Sequence, residues 1–183
     1  MAAKRGAVQR EVLVTVGTTK FDALIKAVDN QAFVDALKQK GYSHLAVQKG
    51  NGSYFPKYLL PSGELEATLS NGVHVRCFDY QPNLNTSMQQ AALIISHAGS
   101  GSIFEALSLG KHLIVVPNAA LMDNHQVELA EQLAAMKHLA CTTPDKLVET
   151  LQQLDGTRLI PYVRGDAAQV AKHISAALGV VSS

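Results

Sequence analysis

Ile95-Ser96-His97-Ala98-Gly99-Ser100-Gly101-Ser102-Ile103-Phe104-Glu105 is the stretch on which the fold turns. The apolar run Ala91 to Ile95 leads into it and reads as a buried parallel strand. Ile103-Phe104-Glu105-Ala106-Leu107 leads out of it as a helical pattern that stops at Gly110. A helix is therefore expected over Ser102 to Leu109. A strand, a turn of small residues and a helix start together make an anion site. Glycine lets the backbone come close to a phosphate, and the first N–H groups of the helix have no partner within it. Glu105 lies about one helical turn beyond Ser102, where a carboxylate can accept hydrogen bonds from a sugar diol. The stretch suits a phosphorylated, sugar-bearing ligand. A tight turn that needs small residues for packing alone is the alternative.

A second polar group follows the next strand. His112 to Val116 is apolar enough to be buried, and after Pro117 the residues Asp123-Asn124-His125-Gln126 open another helix. Open parallel sheets bind ligands at that position, beyond the carboxyl ends of the strands. Asp123 or Asn124 also suits a helix cap, a role that does not involve Gln126.

The rest of the chain alternates in the same way. Strands are expected at Glu11 to Val16, His44 to Gln48, Val73 to Phe78 and Leu139 to Cys141. Helices are expected at Phe21 to Val28, Gln31 to Lys40, Leu84 to Ala91, His125 to Met136, Pro144 to Leu154 and Asp166 to Leu178. Lys49 to Gly72 is rich in glycine and proline and reads as loop with some irregular extended pieces. The alternation implies one α/β domain over residues 1–183, with a parallel sheet covered by helices on both faces and a flexible start over Met1 to Arg10.

Composition excludes several classes of function. Sixteen basic and fifteen acidic residues leave a net charge of +1, and there is no tryptophan. With no basic block and few stacking platforms, nucleic acid is not an expected partner. No apolar run reaches the ~20 residues of a membrane span, and the polar start has no signal-peptide core, so a cytoplasmic chain is expected. Cys77 and Cys141 fall in expected strands without C-x-x-C spacing and read as buried free thiols. The seven histidines are scattered, and no metal site is expected.

Three motifs in order resemble the Alg13 family: Val14-Thr15-Val16-Gly17-Thr18-Thr19-Lys20-Phe21-Asp22, then Ser96 to Ser102 with Glu105, then Asn124-His125-Gln126 with Glu128-Leu129-Ala130. That family is the catalytic subunit of the UDP-N-acetylglucosamine transferase of dolichol-linked oligosaccharide synthesis. It is similar to the C-terminal, donor-binding half of a GT-B glycosyltransferase of the MurG type. The resemblance implies a Rossmann-like sheet and a UDP-N-acetylglucosamine donor, with no cofactor. It implies that the turn with Gly99, Ser100, Gly101 and Ser102 holds the diphosphate, that Glu105 holds the ribose, and that His97 lies against the phosphates. A structural role for His97 stays open. Gln126 matches a glutamine that contacts the donor sugar; His125 stands where many relatives have Asp. Gly17, Thr18 and Thr19 match a second turn facing the phosphates, although a plain β-turn is the alternative. Phe78 matches a position whose backbone reads the uracil edge, or is core.

The resemblance also implies what is missing. No residue is identified as the general base, and the acceptor side of such enzymes belongs to the other half. A membrane-anchored Alg14-like partner is therefore expected to complete the site, recruit the chain to the cytosolic face of the endoplasmic reticulum, and present a lipid-diphosphate-sugar acceptor. The helix Asp166 to Leu178 is a candidate docking element. Two other readings remain: a bacterial-type exopolysaccharide transferase subunit and a non-catalytic sugar-nucleotide-binding regulatory module. An oxidoreductase is disfavoured because Gly17-Thr18-Thr19 lacks G-x-G-x-x-G.

Overall fold

The computed structural model describes residues 9–81, 83–118 and 124–163. Its elements are β1 (Glu11–Thr15), α1 (Asp22–Val28), α2 (Gln31–Gln39), β2 (His44–Gln48), β3 (Glu66–Thr68), β4 (His74–Phe78), α3 (Asn85–Gln90), β5 (Ala91–His97), α4 (Ser100–Ser108), β6 (His112–Val116), α5 (Asn124–Ala135), β7 (Ala140–Cys141) and α6 (Leu147–Gln153). The strands form one sheet in the order β3-β4-β2-β1-β5-β6-β7. Every neighbouring pair is parallel except β3 with β4.

Alternation along the central strands produces two cores. Val12 and Val14 of β1 pack on one face with Leu24, Ile25, Phe33 and Leu151, from α1, α2 and α6. Leu13 points the other way, to Met88, Ile103, Ala106 and Leu133, from α3, α4 and α5. Both faces are thus covered, as the nearly continuous apolar runs require. Helix α2 starts where Asn30 Oδ1 accepts the Phe33 N–H at 2.9 Å, which satisfies one orphan donor of the first turn. No helix among the described residues is long and apolar enough to cross a membrane.

Several expectations need adjustment. The sheet is mixed at one edge, because residues 66–68 within the expected loop form the antiparallel strand β3. β5 runs on to His97, and α4 starts at Ser100 rather than Ser102, because Gly99 begins the helix through its own carbonyl. The helix expected from Pro144 opens as a 3-10 turn, Pro144–Lys146, before α6. Cys77 is buried as expected, whereas Cys141 is half-buried on the short β7; burial raises both thiols to about 11. Residues 1–8 and the expected helix Asp166 to Leu178 lie outside the described residues. Arg10 is held, with its guanidinium 4.7 Å from the Tyr42 ring centre.

Two carboxylates fasten the long loop after β2. Asp22 accepts from the Ser53 hydroxyl (2.8 Å) and the Tyr54 N–H (3.2 Å). The Ser53 hydroxyl, foremost, holds the Asp22 carboxyl below its ordinary range. Asp29 accepts from the Tyr54 hydroxyl (2.6 Å) and the N–H groups of Tyr58 (3.0 Å) and Leu59 (2.9 Å). An irregular segment is ordered this way because its buried N–H groups need acceptors that no ladder supplies.

Candidate functional site

From β1 the sheet grows to one side through β2 and β4, and to the other through β5, β6 and β7. Chain order therefore reverses between β1 and β5, and the crevice for a ligand lies beyond their carboxyl ends. The two turns that open there are Gly17-Thr18-Thr19 and Ala98-Gly99-Ser100. They are the first two sequence motifs, and the structure brings them together around one side chain, His97.

The imidazole of His97 fits only because both neighbours are glycine. A Cβ on Gly17 would stand 2.8 Å from His97 Cε1, and one on Gly99 would stand 2.5 Å from Nε2. Gly17 also has φ +61°, a left-handed conformation that costs other residues roughly 1–2 kcal/mol. His97 is 7% exposed, and its Nδ1 has no hydrogen-bond partner among the described residues. Burial holds its pKa below the ordinary 6.5, with the Thr15 carbonyl pulling the other way. At neutral pH the ring is an uncharged wedge between two backbone turns.

Helix α4 starts beside that wedge. Its first internal bond joins the Ile103 N–H to the Gly99 carbonyl at 3.0 Å, so the amides of Ser100, Gly101 and Ser102 precede the ladder. These three donors, with the positive end of the helix dipole, suit an anion. Ser100 and Gly101 are exposed and Ser102 is half-buried. A Cβ on Gly101 would meet nothing within 4 Å, so protein packing does not demand glycine there. Close approach of a ligand would.

Glu105 is half-buried one turn further on, and its Oε1 accepts from Asn85 Nδ2 at 3.1 Å. The sequence reading missed Asn85, because only the packing of α3 beside α4 reveals the pair. Phe78 ends β4 with its carbonyl accepting the Lys49 N–H at 3.0 Å. Its ring lies 5.2 Å from the Arg76 guanidinium and packs on the α3–α4 core, so the side chain is core while the backbone stays at the edge. Lys49 is itself paired with Asp79 at 2.6 Å.

A third turn, also missed, supports the first. Gly50 has φ +60°, and a Cβ there would lie 2.7 Å from the Thr19 carbonyl and 2.9 Å from the Gly17 carbonyl. Asn51 Nδ2 donates to the Thr18 carbonyl at 2.9 Å, and the Thr19 hydroxyl is spent on the Val16 carbonyl at 2.8 Å. Thr18 is exposed and Thr19 half-buried. The Gly17 and Thr19 N–H groups are themselves donated inward, to Thr15 Oγ1 at 3.1 Å and the Val16 carbonyl at 3.2 Å, so the donors this turn leaves open are the N–H and hydroxyl of Thr18.

The third motif shares the edge, with its Leu129 and Ala130 in the same core as Ala98 of the second. His125 and Gln126 occupy the first turn of α5, which follows β6. His125 is exposed, with Nδ1 3.8 Å from Glu128 Oε2, and Gln126 is half-buried. Asn124 opens α5; its side chain and Asp123 lie outside the described residues. Among the described residues no hydrogen bond joins His125 or Gln126 to Gly17, His97 or Glu105. The loop before α5 is tied to the first turn, since Asn118 Nδ2 donates to the Lys20 carbonyl at 3.3 Å. No group of three or more His, Cys, Asp or Glu converges as a metal-ligand set among the described residues.

The arrangement offers backbone donors to an anion and, one turn away, a fixed carboxylate to a diol. If that carboxylate binds a ribose, Glu105→Gln weakens UDP and UDP-sugar binding alike by roughly 1.5–3 kcal/mol, the worth of a charge-assisted hydrogen bond. Titration calorimetry reads the change, and unaltered UDP affinity would remove Glu105 from the site.

A sheet of this order, covered on both faces and with two turns opening beyond β1 and β5, defines a Rossmann-like α/β domain. The model for the glycosyltransferase family 28 C-terminal domain matches residues 11–178. The MurG structure of Acinetobacter baumannii has the same fold, with a TM-score of 0.60 at 21% identity over 86% of this chain and 44% of that one. Among curated proteins, the UDP-N-acetylglucosamine transferase subunit ALG13 of Yarrowia lipolytica is 42% identical over 129 residues, 70% of this chain. The protein of that name from Candida glabrata is 34% identical over 175 residues, covering 81% of this chain and 88% of that one. A solution structure of ALG13 superposes with a TM-score of 0.68 at 26% identity over 90% of this chain and 94% of that chain. The chain belongs to the glycosyltransferase family 28 C-terminal domain family, and within it to the ALG13 subunits. It spans 62% of the Yarrowia relative, and only 13% and 10% of the mouse and human ones.

Proposed function

We propose that this chain is the donor-binding, catalytic subunit of a split transferase that moves N-acetylglucosamine from its UDP donor to a lipid-diphosphate acceptor already bearing one such sugar. The observation that carries the reading is the pair of glycine turns closed on a neutral His97 beside the open amides of α4. The names of the ALG13 relatives support the choice of nucleotide sugar and the word subunit.

In this reading the diphosphate lies across the amides of Ser100, Gly101 and Ser102 and the backbone of the Gly17 turn. Glu105, braced by Asn85, accepts from the ribose hydroxyls, the edge at Phe78 meets the uracil, and Gln126 with His125 faces the sugar. The acceptor hydroxyl attacks C1 of the sugar from the side opposite the diphosphate. The bond from C1 to the phosphate oxygen breaks, its electron pair leaves with UDP, and configuration inverts. Negative charge grows on the leaving diphosphate, and fixed N–H donors stabilise that charge more in the transition state than in the ground state. The proposed chemistry places this stabilisation on backbone donors, without a metal or other cofactor.

The proton of the acceptor hydroxyl goes to a base that we place on a partner. An Alg14-type membrane-anchored subunit would supply that base and the acceptor site, and would hold the complex at the cytosolic face of the endoplasmic reticulum. Product formation from labelled UDP-N-acetylglucosamine and a lipid-diphosphate-sugar acceptor tests the reading with chain, partner and both together. Turnover is expected only with both, because positioning and proton transfer are divided between them. Full turnover by the chain alone would overturn the split enzyme. Donor binding with no turnover in any mixture would make the chain a regulatory module.

A further inference from the structure

The last side chains of the central strands are polar where apolar residues are expected. Gln48, Thr15 and Ser96 are register neighbours across β2, β1 and β5, and all three are 0% exposed. By strand alternation they share the face of Ala46, Leu13 and Ile94, the α3–α4 side of the sheet. Three buried polar side chains in an apolar layer destabilise a fold unless each is hydrogen-bonded.

Their bonds run upward into the two turns. The Gly17 N–H donates to Thr15 Oγ1 at 3.1 Å, and the Ser96 hydroxyl donates to the His97 carbonyl at 2.9 Å. The Thr15 hydroxyl donates sideways to Gln48 Oε1, which turns the oxygen lone pairs of Thr15 toward the Gly17 amide. Gln48 Nε2 has no partner among the described residues, so the pair is not arranged for the benefit of Gln48. A valine at position 15 would have the same shape and strand preference without the hydroxyl, and would leave the Gly17 amide unheld.

We propose that Thr15, oriented by Gln48, is a positioning residue for the donor diphosphate: it holds the left-handed Gly17 turn against His97 and so sets the gap between the two phosphate-facing turns. The inference rests on the donor reading above. Thr15 touches no ligand itself. It acts through the Gly17 amide, whose turn limits where the His97 ring and, beyond it, Gly99 and the α4 amides can lie. Ser96 secures the other turn in the same manner, one residue before the wedge.

The experiment compares wild type, Thr15→Val and Thr15→Ser in the full chain. Amide hydrogen exchange at Gly17 and the ring resonances of His97 are followed without ligand, and UDP affinity is measured by calorimetry. Thr15→Val is expected to lower the melting temperature while leaving the chain folded, speed exchange at Gly17, shift the His97 ring signals, and weaken UDP about tenfold. Thr15→Ser, which restores the hydroxyl, is expected to bring all three back toward wild type. Wild-type UDP affinity in a folded Thr15→Val overturns the proposal, as does a Thr15→Ser that binds no better than Thr15→Val. A wild-type chain that binds no UDP overturns the donor reading instead, and unchanged Gly17 exchange in Thr15→Val would then overturn the fastening itself.

Discussion

Gly99→Ala is expected to weaken UDP binding by about a hundredfold, with a smaller loss of stability. The new methyl carbon would stand 2.5 Å from His97 Nε2, well inside van der Waals contact. The ring cannot retreat, because the Gly17 turn closes its other side and the imidazole is buried. The strain passes instead into the start of α4, where it tilts the amides of Ser100, Gly101 and Ser102. A shift of about 1 Å in groups that must be aimed costs on the order of 10²-fold, whereas overpacking itself costs roughly 1–3 kcal/mol of stability. Calorimetry with UDP and a thermal melt separate the two effects. Adding His97→Ala removes the collision, so the double variant should recover melting temperature. Undiminished UDP affinity in Gly99→Ala would show that the amides of α4 do not hold the ligand.

Asp29→Ala is expected to destabilise the fold by roughly 3 kcal/mol, a drop of roughly 6–12 °C in melting temperature for a chain of this size. Its carboxylate satisfies the N–H groups of Tyr58 and of the fully buried Leu59, besides the Tyr54 hydroxyl. The Leu59 N–H, fully buried, is cut off from water once the side chain is gone, while the Tyr58 N–H and the Tyr54 hydroxyl lie nearer the surface. The hydrogen bond to Asp29, foremost, pushes the Tyr54 hydroxyl up to about 12, from an ordinary 10.0. A spectrophotometric tyrosine titration should therefore show one phenol returning toward 10 in the variant. Because Gly50 in the same loop supports the Gly17 turn, UDP affinity should fall as well. A melt unchanged by Asp29→Ala would mean that the loop is held by its apolar contacts alone.

The two glycine turns could be read in the sequence because each joins a strong apolar run to a strong helical one. The same is true of β1, β5 and β6, whose β-branched and aliphatic residues are buried on both faces. What escaped had no local signature. Glu66-Ala67-Thr68 is too short and too polar to mark a strand, and becomes one only because β4 offers it an unpaired edge. Gly50 stood among several glycines, and its necessity comes from a carbonyl thirty-one residues away that any Cβ there would meet at 2.7 Å. Asn85 meets Glu105 across two helices, a contact no spacing rule encodes. Thr15, Gln48 and Ser96 looked like ordinary strand residues until their register placed them in one row.

Both described margins of the sheet are blunt. On one side β3 offers three residues, of which Glu66 and Thr68 are exposed; on the other, β7 has only two. Long bare margins recruit strands from neighbouring molecules, and short or charged ones resist them. A polypeptide with a long bare margin spends its life at risk of self-association. Here the guard against that fate is written into the ends of the sheet and not into the turns beyond β1 and β5, so that shelf life and reactivity can be altered separately.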